Sequence, residues 1–568
     1  KQYNADMEAK YIQFKSDYLF MLHGRRYEHM RRWITERLLY LDTIYGYEAD
    51  TRQSITIRAN KSGSVYLDIY TYSPQYVRIV WRNGVEQKLK VGRNTNGDMI
   101  KTRFSSTLAT GTDQEIIIYN AKHIKKIDNI AVLSPSVLNL VEATKLTALV
   151  CSNAALLNDV RLAGNNRFLR DVDLYGCKIL GTSSGGGNVL DFSQMLNMRT
   201  LDVRGTALDN ILLPTGGSNL ENLYIPDNLK QIDLENMPRL KKIQYGSKEG
   251  FKRENAFTSM KIINCPRLPA TYIKNVHTEN LWLENSLAGS LDDAVINTQQ
   301  SGTDPTCDMS TIKIKGLNCF ESGRLKIVAG QNYTTVPATN SFEITNTKVG
   351  ELVLIKLGFI EETIVDLSNE DIGSLCILEY ANIKELITGL SIKKNVFNSV
   401  DYGEKSPSYI GSTLKYPDTL KDVEFYVGEK KTELIDLSSS TITDYLYIED
   451  LKGKNIKINC DFSLGSGGYL KWQSQQRFYL GNSGDISGYV KCTDEAKIMG
   501  NSSGLGEVQE LKLLIDTSMV TNFQGFFNGC KNLVTIPEID TSKGTNFGGM
   551  FSGCSALSEI PELDTLKG

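Results

Sequence analysis

Two stretches have the spacing of a serine nucleophile: Gly181-Thr-Ser183-Ser184-Gly185 and Gly500-Asn-Ser502-Ser503-Gly504 both match G-x-S-x-G. That motif supports acyl transfer only where a strand enters the turn, a helix leaves it, and an acid and a histidine follow in order. Both matches sit in Gly/Ser loops, and the last histidine of the chain is His277. The four histidines, His23, His29, His123 and His277, are few for acid–base or metal work. His23 and His29 are six apart, so they do not share a helix face as the histidines of H-E-x-x-H do. Asp171 and Asp173 form a D-x-D without the other ligands of a calcium loop, and outward positions on a strand account for them. Pairs such as Glu361-Glu362 and Asp292-Asp293 are common in a chain with 66 acids and do not make a glycosidase. There is no P-loop and no G-x-G-x-x-G. No catalytic residue, cofactor-binding residue or metal ligand is assigned.

The ten cysteines stand singly, at 151, 177, 265, 307, 319, 376, 460, 492, 530 and 554, with no C-x-x-C and no zinc spacing. Reduced packing thiols are expected, which leans toward assembly in a reducing compartment. A net charge of −3 with 23% charged residues offers no basic field for nucleic acid. No apolar run approaches the roughly 20 residues that span a bilayer, and no signal peptide is evident at the N-terminus. The start at Lys1 without Met, and the stop just inside a third repeat, lead to the expectation of a processed or truncated piece of something longer.

The elements that would carry any site follow from periodicity. Residues 1–50 are expected to be an amphipathic helical segment, with Tyr27, Met30, Ile34, Leu38 and Leu41 at helical spacing among arginines. This stripe either docks on neighbouring structure or serves as an assembly helix with a second subunit. Over 51–126 the period falls to two, with turns such as Arg82-Asn83-Gly84, which predicts a small immunoglobulin-like β-sandwich. Its Tyr66, Tyr70, Tyr72 and Tyr76 either form a sugar-binding face or simply reflect strand propensity.

From 127 to 330 a leucine grammar predicts irregular leucine-rich repeats. Leu146-x-x-Leu149-x-Cys151, Leu157-x-x-Val160-x-Leu162, Leu169-x-x-Val172-x-Leu174 and Met198-x-x-Leu201-x-Val203 are examples. Adjacent starts lie 9 to 12 apart, so two steps make a coil of about 22 residues. Over 331–510 the pattern loosens, either into a solenoid with inserted loops or into a further β domain.

Residues 511–568 contain two copies of one unit, DTSMVTNFQGFFNGCKNLVTIPEI and DTSKGTNFGGMFSGCSALSEIPEL. Phe523, Phe527, Cys530, Leu533 and Ile536 of the first return at a constant offset as Phe547, Phe551, Cys554, Leu557 and Ile560 of the second. A fixed period of this length predicts stacked coils with these residues as the repeat core. The fold class expected is mainly β: an N-terminal helix, a small β-sandwich, then an irregular leucine-rich-repeat β-solenoid.

The signature DTS-x-x-T-N-F-x-x-(F/M)-F-x-G-C-x-x-L-x-x-I-P-E resembles the BspA-like branch of the leucine-rich repeats, found in bacterial surface proteins and in proteins of their phages. The resemblance covers the last tenth of the chain and implies a binding or display scaffold without catalytic residues. The layout as a whole, with WITERLLYLD at 33–42 and TYSPQYV at 71–77, is similar to tail structural proteins of gut bacteriophages, the muzzle proteins of crAss-like phages being the nearest. This implies a non-enzymatic virion component, with other structural subunits as its companions in a homo-oligomer. The alternative is a BspA-like cell-surface adhesin that binds a host protein or glycan. Neither involves nucleic acid, a cofactor or a membrane span.

Overall fold

The computed structural model describes residues 53–566 apart from short stretches, the longest of them 400–414, 471–485 and 499–511. The expected N-terminal helix therefore lies outside the described residues, as do Tyr27, Met30, Ile34, Leu38 and Leu41. What is described is mainly β; the only helical pieces among these residues are three short 3-10 turns. The chain divides into two compact units, Lys1–Leu229 and Lys230–Gly568.

The first unit begins with seven strands: β1 Ser54–Ala59, β2 Gly63–Thr71, β3 Gln75–Val80, β4 Glu86–Val91, β5 Thr102–Leu108, β6 Gln114–Tyr119 and β7 Ile124–Asp128. They form two layers, in the orders β1-β6-β3-β4 and β7-β2-β5. Alternation decides which face is inside. Ile55, Ile57, Val77, Ile79, Ile116 and Ile118 of one layer are buried, as are Val65, Leu67, Ile69 and Phe104 of the other. Trp81 closes the core, its indole N–H donating to Gln87 Oε1 at 3.0 Å.

The two layers do not end there. β8 (Pro135–Leu140) pairs antiparallel with β1, placing Leu138 opposite Ile57. β9 (Ala148–Val150) pairs in parallel with β7. After that the chain adds further strands in parallel. β10 (Asp159–Leu162) joins β8, and β11 (Asp171–Asp173) joins β9. β12 (Leu190–Asp191) pairs with β14 (Ile211–Leu212), and β13 (Thr200–Asp202) joins β11 and is followed by β15 (Asn222–Ile225). Ile127, Leu149, Val172, Leu201 and Leu223 thus form one buried ladder, in which the step from Val172 to Leu201 is longer than the rest. The successive L-x-x-L-x-L segments of Leu149 and Val160 lie in different layers. At the corners, tight turns bury small residues: Leu146 N–H donates to Ala143 O and Leu157 N–H to Ala154 O, both at 3.1 Å. The expected boundary at 126/127 falls inside β7, which pairs with β2 on one side and β9 on the other.

The second unit is built of parallel ladders too. One consists of β16 (Gln231–Glu235), then, past the hairpin of β17 (Lys242–Tyr245) and β18 (Lys248–Glu249), β19 (Ser259–Ile263) and β20 (Asn280–Glu284). Past β21 (Asp293–Ile296) it takes in β22 (Thr311–Lys315), and past β23 (Phe320–Val328) it takes in β24 (Ser341–Thr345). A second ladder runs β21-β23-β25-β27, with β25 at Lys348–Ile355 and β27 at Asp371–Leu378, and continues to Lys512–Asp516. A third joins β26 (Gly358–Leu367) to β28 (Ala381–Thr388). β23, β25 and β27, between Phe320 and Leu378, thus pair directly in one ladder.

One corner recurs at the ends of the first ladder's strands. Asn236, Asn264, Asn285, Gly316 and Asn346 follow β16, β19, β20, β22 and β24, and all have positive φ, at 54°, 53°, 45°, 63° and 51°. Asn and Gly are the residues that tolerate this left-handed conformation. Each corner N–H before Asn346 donates to the next coil, as Asn264 does to Glu284 O at 2.9 Å.

Candidate binding face

The side chains with reactive chemistry are committed to the fold. Burial pushes the thiols of Cys177 and Cys265 up to about 11 and those of Cys307 and Cys319 up to about 12; Cys151 is raised further. Protonated at neutral pH, these thiols lack the thiolate a nucleophile needs. Several instead donate to the backbone of the neighbouring coil: Cys177 Sγ to Cys151 O at 3.1 Å, and Cys554 Sγ to Phe527 O at 3.0 Å. Cys307, with Asn297 and His277 nearby in sequence, could be mistaken for a Cys-His-Asn set. Its thiol, however, donates to Asn297 Oδ1 at 3.3 Å, while the Asn297 amide is bonded to Thr278 on both its oxygen and nitrogen.

Buried carboxylates are likewise structural. Asp68 is 1% exposed although it lies on the outer side of β2. It accepts from Arg103 Nε at 2.8 Å and Nη2 at 2.9 Å, and from Lys101 Nζ and Asn129 Nδ2 at 3.1 Å. These bonds, the Arg103 guanidinium foremost, hold its carboxyl down at about 2. Glu370 caps a corner, accepting from Thr347 N at 2.8 Å, while burial pushes its carboxyl upward. Asp171 and Asp173 flank buried Val172 on the outer side of β11, and Asp173 Oδ1 accepts from Tyr175 N. Among the described residues no three or more His, Cys, Asp and Glu side chains converge as a metal site requires.

The tyrosines of the sandwich do not share one face. Tyr66 and Tyr70 lie on β2, whereas Tyr76 lies on β3 in the opposite layer. Each carries a cation over its ring: Arg103 over Tyr66 at 4.1 Å, Lys126 over Tyr70 at 5.7 Å, Lys125 over Tyr72 at 5.9 Å and Lys88 over Tyr76 at 5.8 Å. Tyr66, Tyr70 and Tyr76 are strand residues and Tyr72 follows β2 directly, each with a cation over its ring.

Ladder register creates ordered outward rows that local sequence does not reveal. In the first unit Asp173, Asp202 and Tyr224 are neighbours across β11, β13 and β15. Arg204, two residues past Asp202, forms an ion pair with it and places its guanidinium 5.3 Å from the Tyr175 ring and 4.5 Å from that of Tyr224. In the second unit Asp233, Lys261, Trp282, Lys313 and Glu343 form one row. Trp282 stands between two cations, Lys261 at 5.3 Å and Lys313 at 5.1 Å, and donates its indole N–H to Glu284 at 2.9 Å. Lys261 is anchored by Glu235 at 2.8 Å, and Lys315 by Glu343 at 2.8 Å. Beside this row runs an uncharged one, Gln231, Ser259, Asn280, Thr311 and Ser341. An amphipathic ring fixed amid charges and next to amides and hydroxyls is suited to binding rather than to bond-making.

The C-terminal copies stack one on the other, with parallel bridges Asn522–Asn546 and Thr535–Glu559. Phe523, Phe527, Cys530, Leu533 and Ile536 are buried, Phe547, Phe551, Cys554 and Leu557 half-buried, and Ile560 is 51% exposed. Phe526 and Met550 are buried as well; the interchangeable F/M position of the signature marked them, since only an apolar slot tolerates that exchange.

No helix among the described residues is long and apolar enough to cross a membrane. Compared with family models, curated proteins and solved structures, the chain finds no match.

Proposed function

We propose that this chain is a non-enzymatic structural protein of a large assembly, a bacteriophage tail component whose repeats serve display or attachment. The parallel ladders are taken as an irregular leucine-rich-repeat β-solenoid, entered through an immunoglobulin-like sandwich. The observation that carries the proposal is the outward row centred on Trp282, ordered by coil register and held by Lys261 and Lys313. Reactive groups elsewhere are consumed by packing and capping, which supports a scaffold over a catalyst. Other structural subunits are the partners of this reading, and the virion tail its location.

A BspA-like surface adhesin is the second reading, favoured by the two C-terminal copies and their stacked phenylalanines. Negative-stain imaging of the native particles separates the two. A symmetric tail or ring labelled by antibody to this chain supports the first, whereas label on bacterial envelopes without particles overturns it.

A further inference from the structure

A chain with a net charge of −3 nevertheless concentrates unpaired cations along one corner of the first unit. Lys125 near the start of β7, and Thr147, Arg170 and Arg199 just before β9, β11 and β13 of the same ladder, are linked directly. Thr147 N–H donates to Lys125 O at 2.8 Å, Arg170 N–H to Thr147 O at 2.8 Å and Arg199 N–H to Arg170 O at 2.6 Å. Successive members are therefore one strand spacing apart, about 4.8 Å. Lys145 and Arg167 lie one turn earlier on the same corner, and Lys145, Arg167, Arg170 and Arg199 are exposed. Among the described residues none of these five cations forms an ion pair, unlike Lys101, Arg103, Lys126 and Arg204 of the same unit.

An aromatic pair sits within this ridge. Phe168, 45% exposed, meets Tyr72 edge to face at 5.8 Å, and Tyr72 donates its hydroxyl to Lys145 O at 2.9 Å. The Lys125 ammonium lies 5.9 Å over the same ring. Lys125, Arg170 and Arg199 on one row, which continues to Glu221, with Lys145, Arg167 and the exposed Phe168 beside it, form a mainly positive ridge complementary to a polyanion.

We infer that this ridge binds an acidic polysaccharide, its carboxylate or sulfate groups on the guanidinium and ammonium groups and a sugar face against Phe168. Arginine presents paired donors that suit carboxylate and sulfate oxygens. A protein partner is a poorer fit, because stable interfaces bury an apolar core on the order of hundreds of Å², and the ridge offers one aromatic pair. Single-stranded nucleic acid is poorer too, since it requires a succession of stacking platforms along the groove. The inference depends on the attachment reading only for why a surface polymer would be met; the charge pattern stands without it.

The test measures binding of the full chain to immobilised polygalacturonate and chondroitin sulfate, with neutral dextran, poly-glutamate and a single-stranded oligonucleotide as comparisons. Binding to the acidic polysaccharides is expected to weaken with salt. It should fall on the order of tenfold in the R170Q/R199Q double variant, as loss of two exposed charge contacts implies. F168A should weaken it without altering its salt dependence, and the K88Q/K90Q variant of the distant β4 strand should leave it unchanged. Equal or tighter binding to poly-glutamate or the oligonucleotide overturns the assignment, as does a double variant that binds like the parent while its melting temperature is unchanged. A native particle that still assembles with these variants would leave the scaffold function standing while the ridge inference failed.

Discussion

The rings of Phe527 and Phe551, equivalent positions of the two C-terminal copies, are stacked with centroids 5.8 Å apart and planes 9° from parallel. Phe527 N–H also donates to Met550 O at 2.8 Å, so backbone and side chain keep the same register. Phe527 is wholly buried and Phe551 half-buried. Phe527→Ala should therefore cost about 3–5 kcal/mol and Phe551→Ala clearly less. Denaturant unfolding monitored in this C-terminal part distinguishes them, and equal losses would contradict the difference in burial.

Asp68 should govern the acid stability of the first unit. Its carboxyl is held at about 2 against an ordinary 3.8. A group whose folded value lies below its unfolded one contributes stability above the unfolded value and loses it as pH falls through the folded one. The contribution should be full above about pH 5 and gone near pH 2, amounting to roughly 2 kcal/mol. Asp68→Asn should destabilise by about that amount at neutral pH and flatten the decline between pH 4 and 2. An Asp68→Asn variant with the parent's acid profile would show the bonds to Arg103 and Lys101 to be inconsequential.

At the corner ladder, a Cβ added to Gly316 would lie 2.2 Å from Asn285 Oδ1, at a φ of 63°. Gly316→Ala should cost about 1–3 kcal/mol, and an Asn285→Gly background should recover the part due to the clash. The strain of positive φ would remain. Thermal melts of the three variants check this, and full recovery would show that backbone conformation contributes nothing.

Thiol chemistry offers an independent check on burial. Cys177 and Cys265, pushed up to about 11, and Cys307 and Cys319, pushed up to about 12, should resist alkylation in the native chain at pH 8. In denaturant all ten cysteines of the chain should react readily. Peptide mapping by mass spectrometry reads each site, and rapid native labelling of Cys177 or Cys265 would mean the coils around them open.

Much of the inner architecture was legible because an inward position in a ladder has to be apolar whatever its neighbours are. Leu149, Val172, Leu201 and Leu223 were marked by L-x-x-L-x-L spacing, and they do form one ladder. Met260, Leu281 and Ile312 lie in register in the second unit as well. The two C-terminal copies could be aligned on identity alone, and their phenylalanines stack as the shared period requires.

Outward relationships were decided only by the tertiary structure. Lys125, Arg170 and Arg199 adjoin one corner although they are far apart in sequence and unevenly spaced, because coils of unequal length stack in one register. Outward side chains obey no apolar rule, so periodicity does not say which of them meet. Trp282 finds Lys261 and Lys313 for the same reason, the coil that follows it being longer than the one before. The shared strand β7 was hidden as well. Its Ile124 and Ile127 are apolar enough for a sandwich and a ladder alike, and only pairing with β2 on one side and β9 on the other gives it both roles.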